Sequence, residues 1–141
     1  MTLLSSTSAF GQQETVRRLL AAVAARGMTV FARFDHAAAA RTAGLSLRPT
    51  EVVVFGDPRA GTPLMQAAPT LALELPLRIL VLERDDGTTT LVAEDPAAAA
   101  ARHGTPAALD PALARMTTVI EAVMADAGGR FASMEQSKIK V

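Results

Sequence analysis

The chain holds two imidazoles, His36 and His103, and no cysteine. Without a thiolate, disulfides, thiol nucleophiles, zinc ribbons and cysteine-held iron–sulfur clusters are excluded, and a transition-metal site has only imidazoles and carboxylates to draw on. That set is thin, and no metal or other cofactor is expected. His36 follows Asp35 directly, and an imidazole that titrates near neutrality is a natural proton carrier. Sequence neighbours rarely face each other, so alternatively Asp35 caps a helix and His36 bonds a loop carbonyl. His103 precedes Gly104 at a helix end, where an imidazolium favours the helix dipole. Met65 and His36 are of haem-ligand type, but nothing else supports haem, and Met65 reads as a core or subunit-interface side chain.

A second concentration of chemistry is the run Gly56-Asp57-Pro58-Arg59-Ala60-Gly61-Thr62-Pro63. Its glycines resemble a phosphate loop only superficially, because such a loop places Lys and then Ser or Thr after its last Gly. Here Thr62 and Pro63 stand there, and Pro63 has no amide to donate. What remains is a helix start with Thr62 as N-cap and Pro63 as first helical residue, whose free amides, with Arg59 beside them, would hold a small anion. Alternatively the run is a structural turn. No Gly-x-Ser-x-Gly elbow occurs, and Glu74, Glu83, Asp85 and Asp86 fall at strand starts or a hairpin tip, where solvated charge is expected.

The elements that must position these groups follow from periodicity. Thr2–Phe10 is weakly patterned, either a strand or frayed. Val16, Leu19, Leu20 and Val23 recur with helical spacing between Gly11, an N-cap, and Gly27, a left-handed stop. The run from Met28 to Asp35 predicts a strand with Val30, Ala32 and Phe34 on one face and Thr29, Phe31 and Arg33 on the other. A short alanine-rich helix capped by Asp35 follows, then a buried strand from Glu51 to Gly56. Beyond the connector, Leu75–Glu83 and Thr88–Asp95 form a hairpin around Asp86-Gly87. Asp95-Pro96 and Asp110-Pro111 each place a carboxylate cap before a first-turn proline, and each opens a helix. The second helix carries the stripe Leu113, Met116, Ile120, Val123, Met124 and Ala127 and ends at Gly128-Gly129.

The composition agrees with one folded domain. The chain has 141 residues, half of them apolar, and 14 basic residues balance 14 acidic ones, so the footprint of a nucleic-acid binder is missing. Five Phe with neither Tyr nor Trp also argue against a stacking platform for single strands. No apolar run approaches membrane-spanning length and no signal-peptide pattern opens the chain, so the expected compartment is the cytoplasm with no membrane partner. The expected architecture is α+β: a mainly antiparallel sheet with two longer helices on one face. Residues 1–129 make the domain, and residues 130–141, with Lys138-Ile139-Lys140, read as a flexible tail.

From Val52 to Gln66, and again from Leu73 to Gly87, the chain resembles the family of domain of unknown function 302. The matching residues are Phe55, Gly56, Pro58, Gly61, Thr62, Pro63, Leu64, Met65, Gln66, Leu75 and Pro76. Phe34-Asp35-His36, Ala40, the Ala43-Gly44-Leu45 turn and the Glu14-Thr15 helix extend the likeness over roughly residues 10–96. The resemblance implies a TATA-binding-protein-like α+β fold and a homodimer, and it implies no activity. Together these features lead to a non-catalytic domain that binds a small ligand, anions included, in a cleft. The site residues are then His36, Phe55, Gly56, Pro58, Arg59, Gly61, Thr62, Met65 and Gln66. Two alternatives stand beside it. One is a small hydrolase or isomerase with His36 as general base and the Thr62 helix start holding an anionic group. The other is an assembly domain whose connector, Gly56 to Leu75, fills a dimer interface.

Overall fold

A computed structural model of the chain describes residues 1–129 and the backbone of residues 134–138. Strand β1 (Thr2–Ser8) leads into helix α1 (Gln12–Ala25), then β2 (Thr29–Asp35), α2 (His36–Thr42), β3 (Thr50–Gly56) and α3 (Pro58–Ala67). After a 3-10 turn at Pro69–Leu73 come β4 (Leu77–Glu83), β5 (Thr89–Glu94), α4 (Pro96–Ala101) and a second 3-10 turn at Ala107–Leu109. The described chain ends with α5 (Asp110–Gly128) and β6 (Met134–Lys138). The strands form one sheet in the order β2-β3-β4-β5-β1-β6, and every neighbouring pair is antiparallel. β1 and β2, joined by α1, are therefore separated by β3, β4 and β5.

Alternation along the strands sends Leu4, Val53, Phe55, Ile79, Val81, Leu91 and Ala93 to the face on which α1 and α5 pack. From the helices, Val16, Leu19 and Val23 meet Ile120, Val123, Met124 and Ala127 in the same core. The two long helices thus lie on one face of the sheet, as the α+β pattern requires. The amide of the buried Gln12 donates to the Val81 carbonyl at 3.2 Å, which fixes the start of α1 over β4. The hairpin turns at Gly87, whose φ of +85° is accessible to glycine at little cost, and the Arg84 amide closes it on the Thr88 carbonyl at 2.7 Å.

Several local expectations change. The weakly patterned opening is a strand paired on both sides, with β5 and with β6. Its Ser and Thr residues do not prevent pairing, since ladder bonds come from the backbone. Residues 134–138 likewise pair with β1, which corrects the view of residues 130–141 as a tail; residues 130–133 and 139–141, including Ile139 and Lys140, lie outside the described residues. Asp110 caps nothing through its side chain, because the 3-10 turn before it already leads the backbone into α5. Asp35 and Asp95 do cap, accepting from the amides of Ala38 at 2.9 Å and Ala97 at 3.2 Å. The Thr117 hydroxyl also donates to Asp95 at 2.6 Å, joining α4 to α5.

The largest local correction concerns α3, which starts at Pro58 and not at Pro63. Asp57 is the better cap: its carboxylate accepts the Arg59 amide at 3.0 Å, and Pro58 fills the first helical position, where no donor is needed. Thr62 therefore lies inside the helix, and Pro63 interrupts the ladder by leaving the Arg59 carbonyl without a helical amide. Gly61 is also an interior helical residue with no need for a positive φ. A methyl group there would meet Leu75 Cδ1 at 3.5 Å, an ordinary contact. Gly61→Ala is expected to raise stability by about 0.5–1 kcal/mol, because alanine loses less backbone entropy on forming a helix. Urea unfolding with an unchanged or lowered midpoint would contradict this.

Candidate ligand-binding recess

Between α3, α5 and the end of the β2–β3 pair lies a recess of about 700 Å³. Three structural devices shape it. The first is a β-bulge: the β2–β3 register shifts between Val30 and Ala32, leaving Phe31 as the extra residue. The ring of Phe31 lies over Gly56, with Cε2 3.7 Å from where a Cβ on that glycine would stand, and Phe31 remains 49% exposed. The bulge also corrects the expected faces of β2. Val30 pairs with Phe55 and joins the core, whereas Ala32 and Phe34 pair with Val54 and Val52 and share the opposite face. The second device is a stripe on α5, in which Ala112, Arg115, Met116 and Val119 follow one another at helical spacing along the recess wall. The third is α3 with the Leu75-Pro76 entry to β4, which supplies Leu64, Met65 and the opposite wall.

Of the twenty lining residues only Asp57, Arg59, Thr62 and Arg115 bear polar side chains, so the recess suits an apolar guest with polar groups at one end. Arg59 Nε donates to Asp57 Oδ1 at 3.1 Å, and these bonds from Arg59, the backbone amide first, hold the Asp57 carboxyl below the usual carboxylate range. The amides of Ala60 and Gly61 donate to the Asp57 carbonyl at 2.9 and 3.0 Å. The first turn of α3 therefore has no free amide cradle for an anion, and a carboxylate already occupies its end. The anion-holding helix start expected at Thr62 is absent for this reason.

Gly56, Pro58, Arg59, Gly61, Thr62 and Met65 line the recess as a group. The remaining expected site residues do not. Phe55 is fully buried in the core, because its side chain alternates away from Gly56 toward α1 and α5. Gln66 is exposed on α3 outside the recess lining. His36 is the main correction. Thr29 pairs with Gly56 at one end of β2, whereas Asp35 pairs with Glu51 at the other. At about 3.3 Å per residue His36 thus stands roughly 20 Å along the sheet from the Gly56 turn. It is exposed and lines none of the hollows that border the connector. The hydrolase alternative loses its only base in the cleft. Sequence reasoning missed Met28, Phe31, Ala112, Arg115 and Val119; the available signal was that Ala112, Met116 and Val119 form an apolar stripe beside the core stripe of α5, wider than one buried face needs.

A second hollow of about 320 Å³ adjoins the first and shares Leu64, Leu75, Leu77 and Met116 with it. It arises where strands diverge. The β4–β5 ladder runs from Glu83–Thr89 only to Leu80–Val92, after which β4 continues beside β3 and β5 beside β1. Glu74 and Glu94 border this hollow, and Arg102 bonds both of them, reaching Glu74 Oε2 at 3.1 Å. His103 joins the same cluster, with Nδ1 2.9 Å from the Thr70 hydroxyl and Nε2 3.0 Å from Glu74 Oε1. Both ring nitrogens are engaged, so the imidazole ties the Pro69–Leu73 turn to the end of α4. Among the described residues no group of three metal-ligating side chains could hold an ion.

Hydrogen bonding from His103 and then Arg102 holds the Glu74 carboxyl below its ordinary range. A depressed carboxylate contributes stability above its unfolded pKa, near 4.3, and loses it as pH falls through the folded value. Glu74→Gln should therefore unfold at a lower temperature than the wild type at pH 7, with the gap closing below about pH 4. Melting curves offset equally at pH 7 and pH 3 would contradict this coupling.

Comparison with known proteins gives three findings. The sequence model of a family described as "Domain of unknown function DUF302" matches residues 4–123. Proteins named fluoride-specific ion channel FluC 1 from Brucella suis and Brucella abortus are each 42% identical over 116 residues, a stretch that is 82% of this chain but 46% and 43% of theirs. The chain thus spans less than half the length of these curated relatives. A solved structure described as an uncharacterised conserved DUF302 protein from Bacillus stearothermophilus superposes with a TM-score of 0.81 at 19% identity, covering 89% of this chain and 97% of that one. At that identity the likeness speaks for the fold alone.

Proposed function

The chain belongs to the DUF302 family, and on that premise we propose that it is a non-catalytic binding domain whose site is the recess between α3, α5 and the Phe31 bulge. The observation that carries this reading is the combination of an apolar hollow with a side chain set over it by a strand irregularity. A bulge that costs ladder bonds and leaves an aromatic half-exposed is typical of sites that hold something. Catalysis is not supported, since the recess contains no imidazole and its one carboxylate is engaged by Arg59. Among the described residues no helix is long and apolar enough to cross a membrane. On this reading the channel-forming part of the Brucella relatives lies outside the matched stretch, and the shared domain serves as an appended ligand-responsive module.

The test is titration with an environment-sensitive apolar dye, followed by displacement with a small-molecule collection. Saturable binding that survives His36→Ala and Gln66→Ala, and is lost when the recess is filled, is expected. No saturable binding by dye or compound would overturn the reading.

Association into a homodimer is a second element of the proposal. Phe34 on edge strand β2 and Leu45 and Leu47 in the connection from α2 to β3 are about half or more exposed, and the outer ladder groups of β2 have no strand neighbour in the described sheet. Sedimentation should detect a dimer that Phe34→Asp disrupts and Met65→Asp, in the connector, leaves intact. The opposite pattern would move the interface to the connector.

A further inference from the structure

The rim of the recess carries an unpaired charge. Asp57 and Arg59 neutralise one another at 3.1 Å, whereas Arg115, exposed on the α5 stripe, makes no ion pair or side-chain hydrogen bond with any described residue. Two guanidinium groups and one carboxylate thus border a hollow whose other lining is almost wholly apolar. The paired carboxylate at Asp57 disfavours a second anion on its own side, which leaves the Arg115 side for a negative head group.

We infer that the recess takes an amphipathic carboxylate, an aliphatic or arylaliphatic acid. Its tail lies against Phe31, Met65, Leu75 and Met116, and its carboxylate is held by the guanidinium of Arg115. This rests on the recess being the binding site and adds the class of ligand. A planar guanidinium matches a carboxylate through two parallel hydrogen bonds, a geometry that neither an alcohol nor an ammonium group can use. A cationic head group finds only Asp57, whose charge Arg59 already offsets through two bonds to Oδ1. The wall shared with the second hollow, Leu64 and Met116 included, gives the tail apolar surface to its end.

The experiment compares octanoate, octanol and octylammonium as displacers of the apolar dye, in wild type, Arg115→Gln and Arg115→Lys. Octanoate should bind about five- to tenfold more tightly than octanol, the modest gain of a charge-assisted bond at a partly exposed site, and the gain should shrink in high salt. Arg115→Gln should abolish that gain without weakening octanol, and Arg115→Lys should keep part of it. Equal affinities for octanoate and octanol in wild type, or a preference that survives Arg115→Gln, overturn the carboxylate assignment while leaving the recess as the site. Failure of the dye itself to bind overturns both. A wild-type dimer that Ala112→Trp dissociates shows the recess filled by a second copy of the chain and likewise overturns the assignment.

Discussion

Ala112→Trp is expected to abolish ligand binding, weakening a saturating apolar probe by about 100-fold or more, while the protein stays folded. Ala112 stands on the recess stripe of α5 and is only partly buried, so an indole placed there extends into the hollow and not into the sheet–helix core. The cost to the fold is the small helix-propensity difference between Ala and Trp plus limited repacking against Met65 and Leu109, about 1 kcal/mol in all. Fluorescence titration with a parallel urea unfolding curve separates the two effects. A variant that binds like wild type would mean that the probe occupies some other surface.

Phe55→Ala is expected to act in the opposite sense. Phe55 neighbours Gly56 and matches the family motif, yet its side chain is fully buried, with Val30 and Leu77 as its cross-strand partners. Removing it opens a cavity at the centre of the core and should cost about 3–5 kcal/mol, seen as a large fall in the urea midpoint. The molecules that remain folded should bind the probe with wild-type affinity. A stable Phe55→Ala protein that had lost binding would return this residue to the site.

These two residues also show how far the sequence was legible. The fold class, the succession of elements from α1 to α5 and the Asp86-Gly87 hairpin followed from periodicity, caps and turn residues, which are local signals, whereas the weakly patterned β1 and the polar run of β6 carry little such signal. The family motif likewise pointed to the connector, and nine of its residues do line the recess. What local signals do not contain is how far apart two elements lie. His36 and Gly56 are both junction residues flanking neighbouring strands, and only the antiparallel register reveals that they lie at opposite ends. The bulge at Phe31 is equally silent in sequence: one extra residue reverses the faces of Ala32 and Phe34 without altering the apolar pattern. Thr62-Pro63 and Asp57-Pro58 both have the composition of a helix start, and the earlier pair prevails because Asp57 bonds the Arg59 amide and forms an ion pair with its side chain. Arg115 was hidden because a lone basic residue on a helix usually faces solvent.

The six methionines of the chain provide the most direct test, since Met28, Met65 and Met116 line the recess, whereas Met124 is fully buried in the core outside its lining. With methyl-13C-labelled methionine, titration of octanoate should shift the Met28, Met65 and Met116 methyl resonances along a common saturation curve and leave Met124 in place. Saturable shifts confined to other methyls, or no shift at Met65 and Met116 at saturating ligand, would contradict the assignment of this recess as the binding site.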